Sequence, residues 1–367
     1  MAVFGIDFGT AKCLISKLDQ NGNPVIIENI IDASHSLASA VYFENEDNVI
    51  VGESAEVMAE TDADRVVQFV KREIGKADAR TYEFDGKIYT PVNISALILR
   101  RLKHMAEEQG ETVDEVVISC PACFGLEERN AIRKAGEEAG MKVLALINEP
   151  TAAALYYCAR EFKEGRTILV YDLGGGTFNV AIVKMFLVTD ENGEEVQKVK
   201  FISTGGSDRL GGKDWDDILY EHLFQVCCDE YGLYPEEIDA ETRQMLRVQS
   251  KRIKEKLSYF DVARMRFPLY GGAVSVKRDT FERNSADKVK QTMTYVEETI
   301  KKATKEYPDF EIDTVLLVGG SCRMPMIQAA LEKRFPGKVQ IEEPEFAVVK
   351  GAAIYANMIS SGCIVLN

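Results

Sequence analysis

A turn that occurs twice restricts this chain more than any other feature of its 367 residues. Gly5-Ile6-Asp7-Phe8-Gly9-Thr10-Ala11-Lys12 runs on into Cys13-Leu14-Ile15-Ser16, and Tyr171-Asp172-Leu173-Gly174-Gly175-Gly176-Thr177 runs on into Phe178-Asn179-Val180-Ala181-Ile182. Both read as an apolar strand carrying an Asp at its end, a turn of Gly and Thr, and an apolar strand returning. Each copy opens one half of the chain, which predicts two similar lobes facing each other across a cleft. Glycines let backbone N–H groups approach a phosphate closely and aim successive amides at one anion. An Asp beside such a turn can hold Mg²⁺ through the waters of the ion. One turn alone reads as a plain hairpin, whereas two facing turns form a clamp for a metal triphosphate. A third segment points the same way: apolar residues 314–318, then Gly319-Gly320-Ser321, then Arg323-Met324-Pro325 and a helical pattern. A strand, a Gly pair and a helix N-terminus can receive a phosphate or a nucleoside, although locally the same residues also read as a tight strand-to-helix connection. Neither a Walker P-loop nor a Rossmann Gly-x-Gly-x-x-Gly follows the first strand, so nucleotide binding here requires another fold.

Strand and helix patterns alternate elsewhere, the signature of an α/β fold. Strands are expected over residues 25–31, 113–119 and 143–147, and helices over 96–109, 126–139 and 236–256. The small residues of Glu149-Pro150-Thr151-Ala152-Ala153-Ala154 predict a helix that approaches a neighbouring backbone closely. A formal charge of −15 argues against a nucleic-acid or anionic-membrane partner. No apolar stretch reaches the ~18–20 residues of a membrane span, and the N-terminus has no basic region ahead of an apolar one, so a cytoplasmic location is expected. Eight cysteines in a chain this long are too sparse for a disulfide scaffold, and three histidines without metal-ligand spacing argue against zinc chemistry.

The first turn, Ile118-Ser119-Cys120-Pro121-Ala122-Cys123-Phe124, Ile147-Asn148-Glu149-Pro150-Thr151-Ala152-Ala153-Ala154, the second turn, Leu210-Gly211-Gly212-Lys213-Asp214, Leu317-Val318-Gly319-Gly320-Ser321-Cys322-Arg323-Met324-Pro325 and Gly351-Ala352-Ala353 follow one another along nearly the whole chain. In this order they resemble the ATPase domain of heat shock protein 70 chaperones of the DnaK type. The resemblance implies an α/β, actin-like ATPase fold with two lobes and a duplicated core. It places lobe I at 1–165 with an outer part near 36–94, lobe II at 166–343 with an outer part near 206–284, and a returning C-terminal helix in 344–367. It implies ATP or ADP with Mg²⁺ and K⁺, and slow hydrolysis of ATP. Asp7 and Asp172 would hold the metal, with Gly9, Thr10, Ala11, Gly174, Gly175, Gly176 and Thr177 around the phosphates. Lys71 would reach the γ-phosphate, and Glu149 would orient water and link the nucleotide state to Pro121 and Arg129, a pair that relays it between the lobes. Lys254, Ser258, Gly205, Gly206, Gly319, Gly320, Ser321, Arg323 and Glu345 would surround the rest of the nucleotide.

The chain departs from the family pattern at several of these positions. Asn179 stands where an aspartate is usual, so slower hydrolysis is expected. Ala11 and Lys12 alter the first turn, Glu255 stands where some members carry an arginine over the adenine, and Glu345 replaces an aspartate. Ala145 lies where many members carry an arginine associated with J-domain docking, which puts coupling to a J-domain co-chaperone in doubt but not ATP binding; the resemblance also implies a nucleotide exchange factor as partner. Nothing after residue 345 resembles a peptide-binding domain or its linker, so clients would be reached only through such a domain; a monomer is expected. The Cys-x-x-Cys of Cys120 and Cys123 is read as two buried or half-buried thiols rather than a redox pair, Cys227 and Cys228 as helix packing, and Cys13, beside the first turn, as a thiol whose oxidation or alkylation would block ATP. Other readings on the same fold are a non-hydrolysing nucleotide-dependent interaction module, a metabolite kinase and a filament former.

Overall fold

The computed structural model describes residues 2–30, 33–161, 163–189, 195–266 and 272–362. The sequence repeat becomes a repeat of sheet topology. Phe4–Phe8 pairs antiparallel with its hairpin partner Lys12–Leu18 and parallel with Glu115–Cys120, which runs parallel to Lys142–Asn148. In the second half Thr167–Leu173 pairs antiparallel with Phe178–Thr189 and parallel with Thr314–Val318, which runs parallel to Val339–Ile341. Pro24–Ile26 and Glu195–Ser207 occupy the corresponding far edges. The inner strands Thr167–Leu173 and Thr314–Val318 are buried at every residue, which is why they read as continuous apolar runs rather than alternating ones.

The helices Glu149–Arg160 and Ala347–Ser360 pack against one another and against both sheets. Val117 and Ile147 of the first sheet, Ile168, Val170 and Leu316 of the second, and Ala152, Ala352 and Ala356 of the helices share one core. A Cβ on Gly351 would fall 1.7 Å from the Ala152 carbonyl oxygen, so the small residues at this crossing are what lets the two helix backbones touch. Each half also has a core of its own, one around Phe4, Ile15, Leu99 and Ile118, the other around Tyr171, Trp215, Leu246 and Leu317. An outer part of the first half is built on the three strands Ala40–Phe43, Val49–Val51 and Val66–Gln68. An outer part of the second comprises helices Gly212–Tyr231 and Ala240–Leu257 with the hairpin Val262–Arg266 and Ala273–Lys277.

Two elements differ from expectation. The strand expected over 25–31 is only Pro24–Ile26; one further backbone bond, Ile27 N–H to the Ile15 carbonyl at 2.9 Å, continues toward the partner Lys12–Leu18 before the ladder ends, and Ile31 lies outside the described residues. The helix expected over 236–256 is divided: Pro235–Glu237 forms a single tight turn, and the helix proper is Ala240–Leu257, where the Asp239 side chain accepts from the Thr242 N–H at 2.7 Å and fixes the start. The tail with Cys363 also lies outside the described residues.

Candidate functional site

The two turns meet. An ideal Cβ on Gly176 would stand 2.3 Å from the Thr10 methyl, and one on Gly175 would stand 2.6 Å from the Ala11 methyl. These glycines are therefore required by the contact between the lobes as well as by any phosphate. Above the contact lies a cavity of about 550 Å³ that brings together Asp7, Gly9, Thr10, Ala11, Lys71, Glu149, Asp172, Gly174, Gly175 and Thr177 on its floor, with Lys254, Ser258, Gly319, Gly320, Ser321, Arg323 and Glu345 along its far wall.

On the floor, Lys71 follows Phe69, which takes the left-handed conformation with φ 59° and starts the turn Val70–Arg72. That turn drives the lysine inward until it is 1% exposed, and its ammonium donates to Glu149 Oε1 at 2.5 Å. Glu149 is the first residue of its helix, so its carboxylate also sits at the favourable end of the helix dipole. The other Glu149 oxygen accepts from Asn179 Nδ2 at 3.0 Å, and the same amide donates to Asp172 Oδ2 at 3.3 Å. Asp7, still in partial contact with the cleft, accepts from the Ser119 hydroxyl at 2.7 Å.

Three carboxylates thus share one ammonium. Burial, followed by the charge of Glu149, raises Asp7 to about 6. Burial and the charges of Glu149 and Asp7 hold Asp172 well above the ordinary carboxylate range. Burial alone would depress Lys71, but Glu149 and Asp7 hold it above an ordinary lysine. Such a cluster is short of positive charge. No group of three or more His, Cys, Asp or Glu side chains converges as a metal cage among the described residues. The donors suit a hydrated Mg²⁺, which is typically held by one or two carboxylates with phosphate and water completing its shell; Asp7 and Asp172 would be those carboxylates.

On the far wall Arg323 grips Glu345 through both of its terminal oxygens; burial opposes ionisation of Glu345, yet the Arg323 hydrogen bonds keep it below its ordinary value. Lys254 donates to the Gly212 carbonyl at 2.9 Å and pairs with Asp216 at 2.7 Å, which fixes its amine beside Ser321 and the second turn. Gly205 and Gly206 lie elsewhere. They pair with Val180 and Asn179 and line a separate small cavity with Cys123, Tyr295 and Lys302. Their lack of side chains admits Thr299 and the Phe178 carbonyl, a packing reason that the sequence does not distinguish from a phosphate-binding one.

Two participants, Arg72 and Tyr259, carry no sequence signal of their own, whereas Arg129 was expected from the resemblance. Arg72 donates to the Gly176 carbonyl at 2.9 Å and to Asp214 at 2.7 Å, joining the first lobe to the second turn. Arg129 donates to Asn148 at 2.6 Å and to the Cys120 sulfur at 3.1 Å, so it reaches Glu149 through the residue before it. Tyr259, exposed at the cleft, stands beside Arg323. Of the Cys-x-x-Cys pair, Cys120 is buried but Cys123 is exposed, correcting the expectation of two sheltered thiols. Cys13 is wholly buried against Ser39, and Cys227 and Cys228 pack within helix Gly212–Tyr231.

A family model described as Hsp70 protein matches residues 3–83 and 77–365. The chain belongs to the Hsp70 family. Membership carries the actin-like ATPase fold, to which the duplicated sheets and the cleft between them conform, and with it a chaperone nucleotide-binding domain with ATP or ADP as ligand and ATPase activity. Among the described residues no Hsp70 helix here is long and apolar enough to cross a membrane.

Proposed function

We propose that the chain is the nucleotide-binding domain of a DnaK-type Hsp70 chaperone that hydrolyses ATP slowly to ADP and phosphate. The observation that supports this most is the buried chain of contacts Lys71–Glu149–Asn179–Asp172 at the floor of a cleft whose two phosphate turns touch. Hydrolysis of a phosphoanhydride depends mainly on positioning and charge neutralisation. Bound Mg²⁺ would supply most of that neutralisation at Asp7 and Asp172. An ammonium has three donors, and Lys71 spends one on Glu149, leaving others for the terminal phosphate and the attacking water. Glu149, clamped on both oxygens, orients that water rather than removing its proton. The glycine turns bind the phosphates through their amides, while Lys254, Ser258, Arg323 and Glu345 hold the nucleoside.

We assign residues 1–165 and 166–343 to the two lobes and expect a nucleotide exchange factor to act on their outer parts. Ala145 is buried within its strand and offers no charge to a J-domain, so coupling to that co-chaperone is weakened. Clients would be engaged through a separate peptide-binding domain. The seven described cysteines are all unpaired. Calorimetric titration with ADP in the presence of Mg²⁺ tests the reading: one site per chain is expected in wild type, with binding lost in Asp172→Asn. Saturable binding that ignores both Mg²⁺ and Asp172 would overturn it.

A further inference from the structure

We propose that Asn179 sets the cation requirement of the cleft: as a neutral bridge between the lobes it leaves a cluster that one divalent cation balances, so that nucleotide binding needs no monovalent metal ion. The inference rests on the nucleotide reading above and deepens it. Asn179 is wholly buried, and each polar atom of its side chain is used. Nδ2 donates to Glu149 Oε2 at 3.0 Å and to Asp172 Oδ2 at 3.3 Å, while Oδ1 accepts from the Ala122 N–H at 3.1 Å. The partners fix the orientation of the amide, since only this one gives donors to both carboxylates and an acceptor to the backbone N–H. Ala122 and Glu149 belong to the first half of the chain, Asp172 and Asn179 to the second, so this one side chain ties the halves together beneath the turns.

The K⁺ implied by the sequence resemblance does not fit this arrangement. The oxygens of Glu149 and Asp172 that face position 179 already accept N–H groups. With all three carboxyls ionised and before any phosphate enters, Asp7, Asp172 and Glu149 against Lys71 leave two negative charges, which one divalent ion balances, and Asn179 adds none. The Lys12 side chain, exposed on the cleft wall just after the first turn, adds positive charge rather than negative. An aspartate at 179 has the same shape and keeps an acceptor for Ala122, but it sets a fourth carboxylate against two others with no proton between them. Such a group must hold either a proton or a further cation, and a monovalent metal ion competes with that proton for the place.

The test compares wild type, Asn179→Asp and Asn179→Ala as full chains at constant ionic strength in potassium, sodium or choline chloride. Two quantities are read: the Kd for ADP with saturating Mg²⁺, and the melting temperature of the nucleotide-free protein. Wild-type Kd is expected to agree within about twofold across the three salts. Asn179→Asp is expected to bind at least tenfold more weakly in choline than in potassium or sodium, and its nucleotide-free form to melt at a higher temperature in the metal salts. Asn179→Ala, which loses the bridge without gaining charge, is expected to stay indifferent to the salt. A wild-type Kd that changes tenfold between potassium and choline overturns the proposal, as does an Asn179→Asp variant indifferent to salt in both readouts. If wild type binds no ADP in any salt, the nucleotide reading fails, and the melting temperatures alone decide the charge argument.

Discussion

Replacing Asp7 by asparagine should stabilise the nucleotide-free protein while abolishing its response to nucleotide. In the cleft this carboxyl is raised from the ordinary 3.8 to about 6, by burial first and then by the charge of Glu149. A folded-state value above the unfolded one means that Asp7 favours folding fully below about pH 4, and that this contribution is lost as the pH rises through about 6. The difference corresponds to about 3 kcal/mol at 25 °C, an upper figure because Asp7 keeps some contact with solvent. Asparagine retains the oxygen that accepts from Ser119 and carries no charge against Glu149 and Asp172. Urea denaturation of the nucleotide-free proteins should therefore show Asp7→Asn more stable than wild type by up to about 3 kcal/mol near pH 7.5, with the gap closing near pH 4. In the same preparations, Mg²⁺ and ADP should raise the melting temperature of wild type but not of the variant. A variant equally or less stable near pH 7.5 would refute the view that the acidic cluster is short of positive charge.

Lys71→Ala leaves Glu149 buried without its cation, and loss of about 3–5 kcal/mol is expected in denaturation; Lys71→Met, which preserves packing, should recover part of that stability but none of the hydrolysis. Gly351→Ala forces a Cβ to 1.7 Å from the Ala152 carbonyl, so the helices must separate and a loss of several kcal/mol or insoluble expression should follow. Across the upper cleft Lys251 pairs with Glu56 at 2.5 Å and Arg252 with Glu60 at 2.7 Å. These half-exposed pairs are worth about 0.2–1 kcal/mol each, so Lys251→Ala with Arg252→Ala should speed release of a fluorescent ADP by about two- to thirtyfold in low salt and by less in high salt. Among the described cysteines only Cys123 is exposed, and burial of its sulfur raises the thiol to about 12. Maleimide labelling of the native protein should thus modify Cys123 first among them, and more slowly than a free peptide thiol.

The parts of this molecule that depend on backbone chemistry were legible in its sequence. Two Asp, Gly and Thr turns announced two lobes, and the alanines after Glu149 announced a close helix crossing, because both require small residues at fixed places. What depends on side chains arriving from distant segments was not legible. Arg72 reads as an ordinary surface arginine until Phe69 turns the chain and aims it at Gly176 and Asp214. Gly205 and Gly206 have the composition of a phosphate turn, but in space their missing side chains make room for Thr299 and the Phe178 carbonyl. Asn179 was visible as a departure from a family pattern, but two of the three hydrogen bonds that give it a role join segments 30 and 57 residues away.

The central claim, that the Lys71–Glu149–Asp172 floor performs phosphoryl transfer to water, is tested most directly by a single turnover. Protein in excess over γ-labelled ATP is mixed with Mg²⁺, and nucleotide retained and phosphate released are scored on the same sample for wild type and Lys71→Met. The account predicts slow, complete conversion in wild type and at least ~100-fold slower conversion in the variant with ATP still bound. Intact ATP retained indefinitely by wild type, or phosphate release at equal rates in both proteins, would contradict it.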